Sequence, residues 1–255
     1  MTVTRRIFGK AVGSLALSRM VARTYAQTPP DPPPNRMTAR PSGSASRELA
    51  PGLHPLGFRE QRDTLLYVPE SANKFEKAPL VLSLHGASRS SDRGIDVLRA
   101  QADEFGFLLL APASARPTWD IINGAGGLDA KFINRAMAKT YEMRTVDAAR
   151  VAMAGFSDGA SASLSLGLAN GDLFSAVFGF SPGFVVDLPR VGKPPVFISH
   201  GTQDNVLPID ECSRRIVPQL RSDGYNVTFR EFEGKHTLPP DIASEAMRWF
   251  MSLRS

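Results

Sequence analysis

Gly155-Phe156-Ser157-Asp158-Gly159 lies between the apolar run Arg150-Val151-Ala152-Met153-Ala154 and the small-residue segment Ala160-Ser161-Ala162-Ser163-Leu164-Ser165-Leu166. The first flank reads as a strand and the second as a helix, so the pentapeptide is a G-x-S-x-G turn in the setting of a nucleophile elbow. The turn is so tight that side chains two positions either side of Ser157 would collide with a neighbouring strand or helix, which explains both glycines. The turn presents the serine at the carboxyl edge of a sheet, beside the unpaired N–H groups of a helix N-terminus. As a bare pattern G-x-S-x-G is also a common Gly/Ser turn, so its meaning depends on partners elsewhere in the chain.

With 255 residues and 42% hydrophobic composition, the chain can bury the core of one large α/β domain. Its formal charge of +5 matches the five cations Arg5, Arg6, Lys10, Arg19 and Arg23, which stand in a leader without acidic residues. The remainder is therefore neutral, and the basicity does not indicate nucleic-acid binding. Within the leader, Arg5-Arg6-Ile7-Phe8-Gly9-Lys10 precedes a short apolar stretch and the small-x-small ending Thr24-Tyr25-Ala26. This resembles a twin-arginine signal peptide spanning residues 1–26. It implies passage through the twin-arginine export machinery, cleavage near Ala26 and a periplasmic or secreted product. The apolar stretch is too short for a stable membrane anchor. Residues 27–50, with Pro29-Pro30-Asp31-Pro32-Pro33-Pro34 at their heart, read as an extended, solvated linker. The catalytic domain is then expected over 51–255. Cys212 is the single cysteine, so no intramolecular disulfide can form, and a buried thiol is expected there. The four histidines, at 54, 85, 200 and 236, lack the paired spacings of a zinc site, so neither metal nor cofactor is expected.

Further along, Pro79-Leu80-Val81-Leu82-Ser83-Leu84 is apolar almost throughout, as a strand buried on both faces must be. Helical patterns over about 91–105, 128–143, 209–222 and 241–253 alternate with strand patterns ending near Ala111, Gly155, Phe180, His200 and Phe232. This rhythm predicts a mostly parallel twisted sheet with helices on both faces. Val227–Phe232 alternates more clearly than the others, which fits an edge strand.

A serine hydroxyl needs a base to take its proton, usually a histidine oriented by a carboxylate. Three segments carry a resemblance: Leu82-Ser83-Leu84-His85-Gly86-Ala87, the elbow itself, and His200-Gly201-Thr202-Gln203-Asp204. With His236 they look like the α/β-hydrolase superfamily, in particular bacterial carboxylesterases related to phospholipase/carboxylesterases and to polyhydroxybutyrate depolymerase-like or feruloyl esterase-like proteins. The resemblance covers roughly residues 56–252 and implies an α/β-hydrolase fold with a minimal lid or none.

In that superfamily the carboxylate and then the histidine follow the serine, on loops after later strands. His236, in the last loop, is then the base and Asp204 the acid. Asp187 stands as a rival one strand earlier, while Asp210 is explained by a helix first turn. The resemblance further implies an oxyanion hole formed by the backbone N–H groups of Ala87 and Asp158, with His85 bracing the loop. Asp158 departs from the Gln, Ala or Met common at its position; facing His236, its charge would move the active pH range upward. Trp119 and Phe184 are candidates both for the substrate pocket and for packed cover.

The expected function is a serine carboxylesterase working through an acyl-enzyme on small-molecule or oligomeric esters. The alternatives are a polyester depolymerase, a feruloyl esterase, a peptidase on the same fold, or a catalytically silent binding protein.

Overall fold

The computed structural model describes Met1, residues 33–41, 43–46, 48–124 and 126–253. The expected signal peptide and its cleavage site, and the first part of the expected linker, lie outside the described residues.

In chain order the strands are β1 (Gly52–Pro55), β2 (Leu65–Val68), β3 (Ala78–Leu84), β4 (Leu108–Ala111), β5 (Val146–Gly155), β6 (Ala176–Phe180), β7 (Val196–Gly201) and β8 (Val227–Phe232). The helices are α1 (Ser91–Phe105), α2 (Leu128–Met143), α3 (Asp158–Ala169), α4 (Ser213–Ser222) and α5 (Pro240–Ser252). One sheet of order β1-β2-β4-β3-β5-β6-β7-β8 results. β1 and β2 are antiparallel to their neighbours, whereas every pairing from β4 through to β8 is parallel.

Burial explains the arrangement. β3, β4, β6 and β7 are buried at every position, because apolar clusters lie on both sheet faces. On one side Leu80, Leu82, Met153 and Ile198 pack with Ile133, Met137 and Leu164. On the other Val81, Leu109, Phe178 and Phe197 meet Leu98, Ala246, Met247 and Phe250. α1 sits unusually close to the sheet. A Cβ on Gly94 would come within 2.8 Å of the Ser83 carbonyl oxygen and 2.9 Å of Ala111 Cβ, so only glycine permits this approach. β8 is an edge strand, as its alternation predicts, and only Val227 within it is fully buried.

Residues 33–49 correct the expected linker. The described residues among them form a strap against the domain, anchored by Met37, which is 1% exposed within the larger core cluster. Asn170 Oδ1 accepts from the Met37 N–H at 2.7 Å, and Asn134 Oδ1 accepts from the N–H groups of Thr38 and Ala39 at 2.8 Å each. Arg36 forks onto Asp172 at 2.8 and 2.9 Å and gives a further bond to the Ala169 carbonyl. These contacts hold the Asp172 carboxyl down at about 2. Prolines do leave this backbone without its own secondary structure, but its N–H groups find acceptors on α2 and α3 instead. The folded unit accordingly begins at Pro33 rather than Pro51.

Candidate active site

Because β3, β5, β7 and β8 run parallel, their carboxyl ends share one edge, and the loops that leave them bring together residues distant in sequence. β5 ends at Gly155, and the chain reverses through Ser157 into α3. Ser157 has φ 58° and ψ −124°, a conformation that L-residues avoid. It is held there from both sides: the Phe156 N–H donates to the Leu84 carbonyl at 3.2 Å, and the Ser157 N–H to the Phe180 carbonyl at 3.0 Å. The flanking glycines are obligatory, as the sequence predicts. A Cβ on Gly155 would overlap the Gly159 carbonyl, and one on Gly159 would lie 2.6 Å from the His85 carbonyl oxygen.

The loop after β8 delivers His236, and the loop after β7 delivers Asp204. His236 Nε2 stands 2.9 Å from Ser157 Oγ, and His236 Nδ1 stands 2.6 Å from Asp204 Oδ2. A carboxylate can only accept, so Nδ1 carries the proton and the Nε2 lone pair faces the serine hydroxyl. The arrangement is therefore ready to take a proton from Ser157. The Asp204 side chain is fully buried. Burial pushes its carboxyl upward, but hydrogen bonds from the Leu207 N–H, from His236 and from the Val206 N–H outweigh this and leave it below the ordinary carboxylate range. Phe156 packs against the His236 ring with centroids 4.8 Å apart.

Behind the acid stands a second histidine whose part in the site the sequence reading missed. His200 is wholly buried, with Nδ1 2.7 Å from Ser213 Oγ and Nε2 2.8 Å from the Leu207 carbonyl. The carbonyl only accepts, so Nε2 carries a proton; this N–H points to Leu207, and the nitrogen lies 3.2 Å from Asp204 Oδ2 as a close polar neighbour. Asp204 thus accepts three hydrogen bonds, from His236 and the amides of Val206 and Leu207, with the His200 ring close behind. The placement of His200 four residues before the acid is the one signal that could have marked it, and it gains meaning only once the turn at 204–207 is known.

After β3, the His85 ring is buried and clamped. Its Nε2 accepts from the Ser114 N–H at 3.0 Å, and its Nδ1–H therefore donates to the Gly86 carbonyl at 2.8 Å. Trp119 stacks on it at 4.8 Å and donates Nε1–H to the His85 carbonyl at 2.9 Å. Among the described residues, the N–H groups of Ala87 and Asp158 donate to no other protein group, and Ala87 and Ser157 line the same cleft. The loop that carries Trp119 is pinned by Asp129, which accepts from the N–H groups of Ala115 and Asp120 at 2.9 and 2.7 Å.

The cleft above Ser157 encloses about 580 Å³. Neither sequence candidate for its lining reaches it. Trp119 is fully buried beneath the His85 loop, where its ring supports the main chain. Phe184, 44% exposed, lines a separate depression with Arg190 and Arg215. Val97, Phe156, Val206 and Leu238 supply the apolar lining instead. Among the described residues no hydrogen bond or ion pair joins Asp158 to His236; its carboxylate accepts from Thr118 Oγ1 at 2.6 Å and ties the elbow to the Trp119 loop.

The fold that carries this relay is the α/β-hydrolase fold. The chain belongs to the phospholipase/carboxylesterase family, whose model matches residues 118–252. The match takes in Ser157, Asp204 and His236, and the loop bearing Ala87 precedes it. Solved structures share the fold at low identity. Esterase PE8 is 23% identical with a TM-score of 0.61, covering 73% of this chain and 96% of that one. A carboxylesterase from Mesorhizobium loti is 19% identical with a TM-score of 0.60, covering 75% and 95%. A ferulic acid esterase from Anaeromyces mucronatus is 16% identical with a TM-score of 0.61, covering 87% and 95%. No curated protein matches the sequence.

Proposed function

We propose that the chain is a serine carboxylesterase that works through an acyl-enzyme. The observation that carries this reading is the continuous relay Asp204–His236–Ser157, with separations of 2.6 and 2.9 Å and the base in the tautomer needed to accept a proton. Ser157 Oγ attacks the ester carbonyl carbon and gives its proton to His236 Nε2. Asp204 stabilises the resulting imidazolium. The oxyanion is held by the N–H groups of Ala87 and Asp158. Collapse of the tetrahedral intermediate expels the alcohol, which leaves with the proton from His236. Water then enters, gives a proton to the same nitrogen as its oxygen attacks the acyl carbon, and collapse breaks the bond to Oγ, which takes that proton back from His236 as the acid is released.

The test is Ser157→Ala against the parent enzyme with p-nitrophenyl acetate and a fluorophosphonate probe. Loss of both turnover and labelling is expected; labelling that persists in the variant would refute the assignment.

We also propose export to the periplasm or beyond, on the strength of Arg5-Arg6-Ile7-Phe8-Gly9-Lys10. Changing both arginines to lysine should retain the protein in the cytoplasmic fraction. An unchanged distribution between fractions would count against a twin-arginine signal.

A further inference from the structure

The charge around the cleft is unevenly satisfied. Asp92 accepts from the Ser90 hydroxyl, Asp158 from Thr118, and Asp204 from its three donors. Arg93, on the cleft wall, pairs with Asp96 at 3.2 Å one turn further along α1. Arg89 also lines the cleft, two residues beyond Ala87, yet its guanidinium has no hydrogen-bond or ion-pair partner among the described residues. Its main chain, by contrast, is held in place, because Arg62 Nη2 donates to the Arg89 carbonyl at 2.7 Å. Arg62 in turn is bound to the Ser114 carbonyl and hydroxyl, so the root of the Arg89 side chain is tied to the loop behind it. Val206, Leu238 and Val97 give the same cleft apolar lining, and Asp96, the partner of Arg93, lines it as well.

The cleft therefore offers both an uncommitted guanidinium, two residues from an expected oxyanion donor, and apolar surface. A neutral, wholly apolar ester would use only the apolar lining and leave without a partner a guanidinium that forks naturally onto a carboxylate.

We propose that Arg89 forms an anion subsite and that the preferred substrates are esters bearing a free carboxylate, such as hemiesters of dicarboxylic acids or hydroxy-acid oligomers ending in a carboxylate. This rests on the serine-esterase reading above and adds a substrate class to it. The guanidinium pairs with the substrate carboxylate while the chain between carboxylate and ester lies along Val206 and Leu238. Because Arg89 is solvent-exposed, the pairing is sensitive to salt.

The experiment compares the mono-p-nitrophenyl ester of glutaric acid with p-nitrophenyl valerate, its uncharged counterpart of equal chain length. A second pair, 4-acetoxybenzoate and phenyl acetate, places the charge on the alcohol side. The quantity read is the ratio of kcat/KM for charged over neutral ester within each enzyme. In at least one pair this ratio should fall about tenfold in Arg89→Gln, recover in part in Arg89→Lys, and shrink in the parent enzyme as salt rises from about 20 mM to about 500 mM, the behaviour of an exposed charge-assisted pair. Ratios that are the same in parent and Arg89→Gln for both pairs, or that ignore salt, overturn the anion subsite and leave the esterase intact. If the parent hydrolyses none of the four esters and Ser157 takes no fluorophosphonate, the esterase reading fails and the subsite falls with it.

Discussion

Replacing His200 by phenylalanine probes the acid through a residue that touches neither serine nor substrate. Phenylalanine keeps an aromatic ring in the buried space, though a larger one that adds some overpacking, and it withdraws the acceptor from Ser213 Oγ and the donor from the Leu207 carbonyl. Each buried polar atom left without a partner costs about 1–3 kcal/mol, and Ser213 Oγ can turn and recover part of that, so a net loss of roughly 2–4 kcal/mol is expected. In a folded unit of this size each kcal/mol moves the melting point by about 2–4 °C. Activity should suffer separately: the turn that presents Asp204 loses its anchor at the Leu207 carbonyl and the carboxylate loses a polar N–H 3.2 Å away, so kcat per folded site should fall, by roughly tenfold for about 1.4 kcal/mol of lost stabilisation. Glutamine provides the control, because its amide N–H can reach the position of the histidine Nε2–H and restore the bond to Leu207 and a polar N–H near Asp204. Urea unfolding gives the stability, and esterase rates normalised to sites titrated with fluorophosphonate give kcat free of unfolded protein. Wild-type kcat per titrated site in His200→Phe, or a glutamine variant no better than phenylalanine, would refute the reasoning.

Two other expectations follow from buried groups. Met37→Ala empties a fully enclosed site in the larger cluster and should cost about 2–4 kcal/mol, read as a lower urea midpoint. A midpoint within error of the parent would mean that the strap is held by its polar contacts alone. Burial pushes the imidazoles of both His85 and His200 below their ordinary 6.5. The unfolded chain therefore binds these protons more readily than the folded one. Their contribution is complete above 6.5 and is lost as pH falls from there toward the lower folded values. The urea midpoint should thus drop between about pH 7.5 and about pH 5.5, and a flat or rising midpoint would contradict the burial of neutral rings.

Much of the relay was legible because chain order carries it. A serine on an elbow, an acid after a later strand and a histidine after the last strand can be placed from loop positions alone, and parallel strands bring those loops to one edge. The strap was not legible, since Met37 is one apolar residue among prolines and polar residues and no periodicity separates it from a solvated tail. Its burial depends on acceptors at Asn134 and Asn170, about a hundred residues away or more. β1 was missed for a related reason, because Gly52–Pro55 is short and has meaning only as the antiparallel partner of β2. Trp119 and Phe184 show the limit for aromatics in loops: the residue type signals contact area, but the direction it faces is decided by tertiary neighbours. In Trp119 the indole N–H settled the matter by finding the His85 carbonyl.

The edge position of β8 has a consequence for how the molecule fails. Ser157 follows β5, which is flanked by β3 and β6 in the middle of the sheet, whereas His236 follows a strand with one neighbour and a mostly half-exposed surface. The proposed nucleophile thus sits on the centre of the sheet and the proposed base on its edge, where local opening is expected to cost less. On warming, the base should depart while the sheet is still standing, so that a scan of fluorophosphonate reactivity shows its midpoint several degrees below that of the far-ultraviolet ellipticity; coincident midpoints would show instead that the edge and the centre open as one cooperative block.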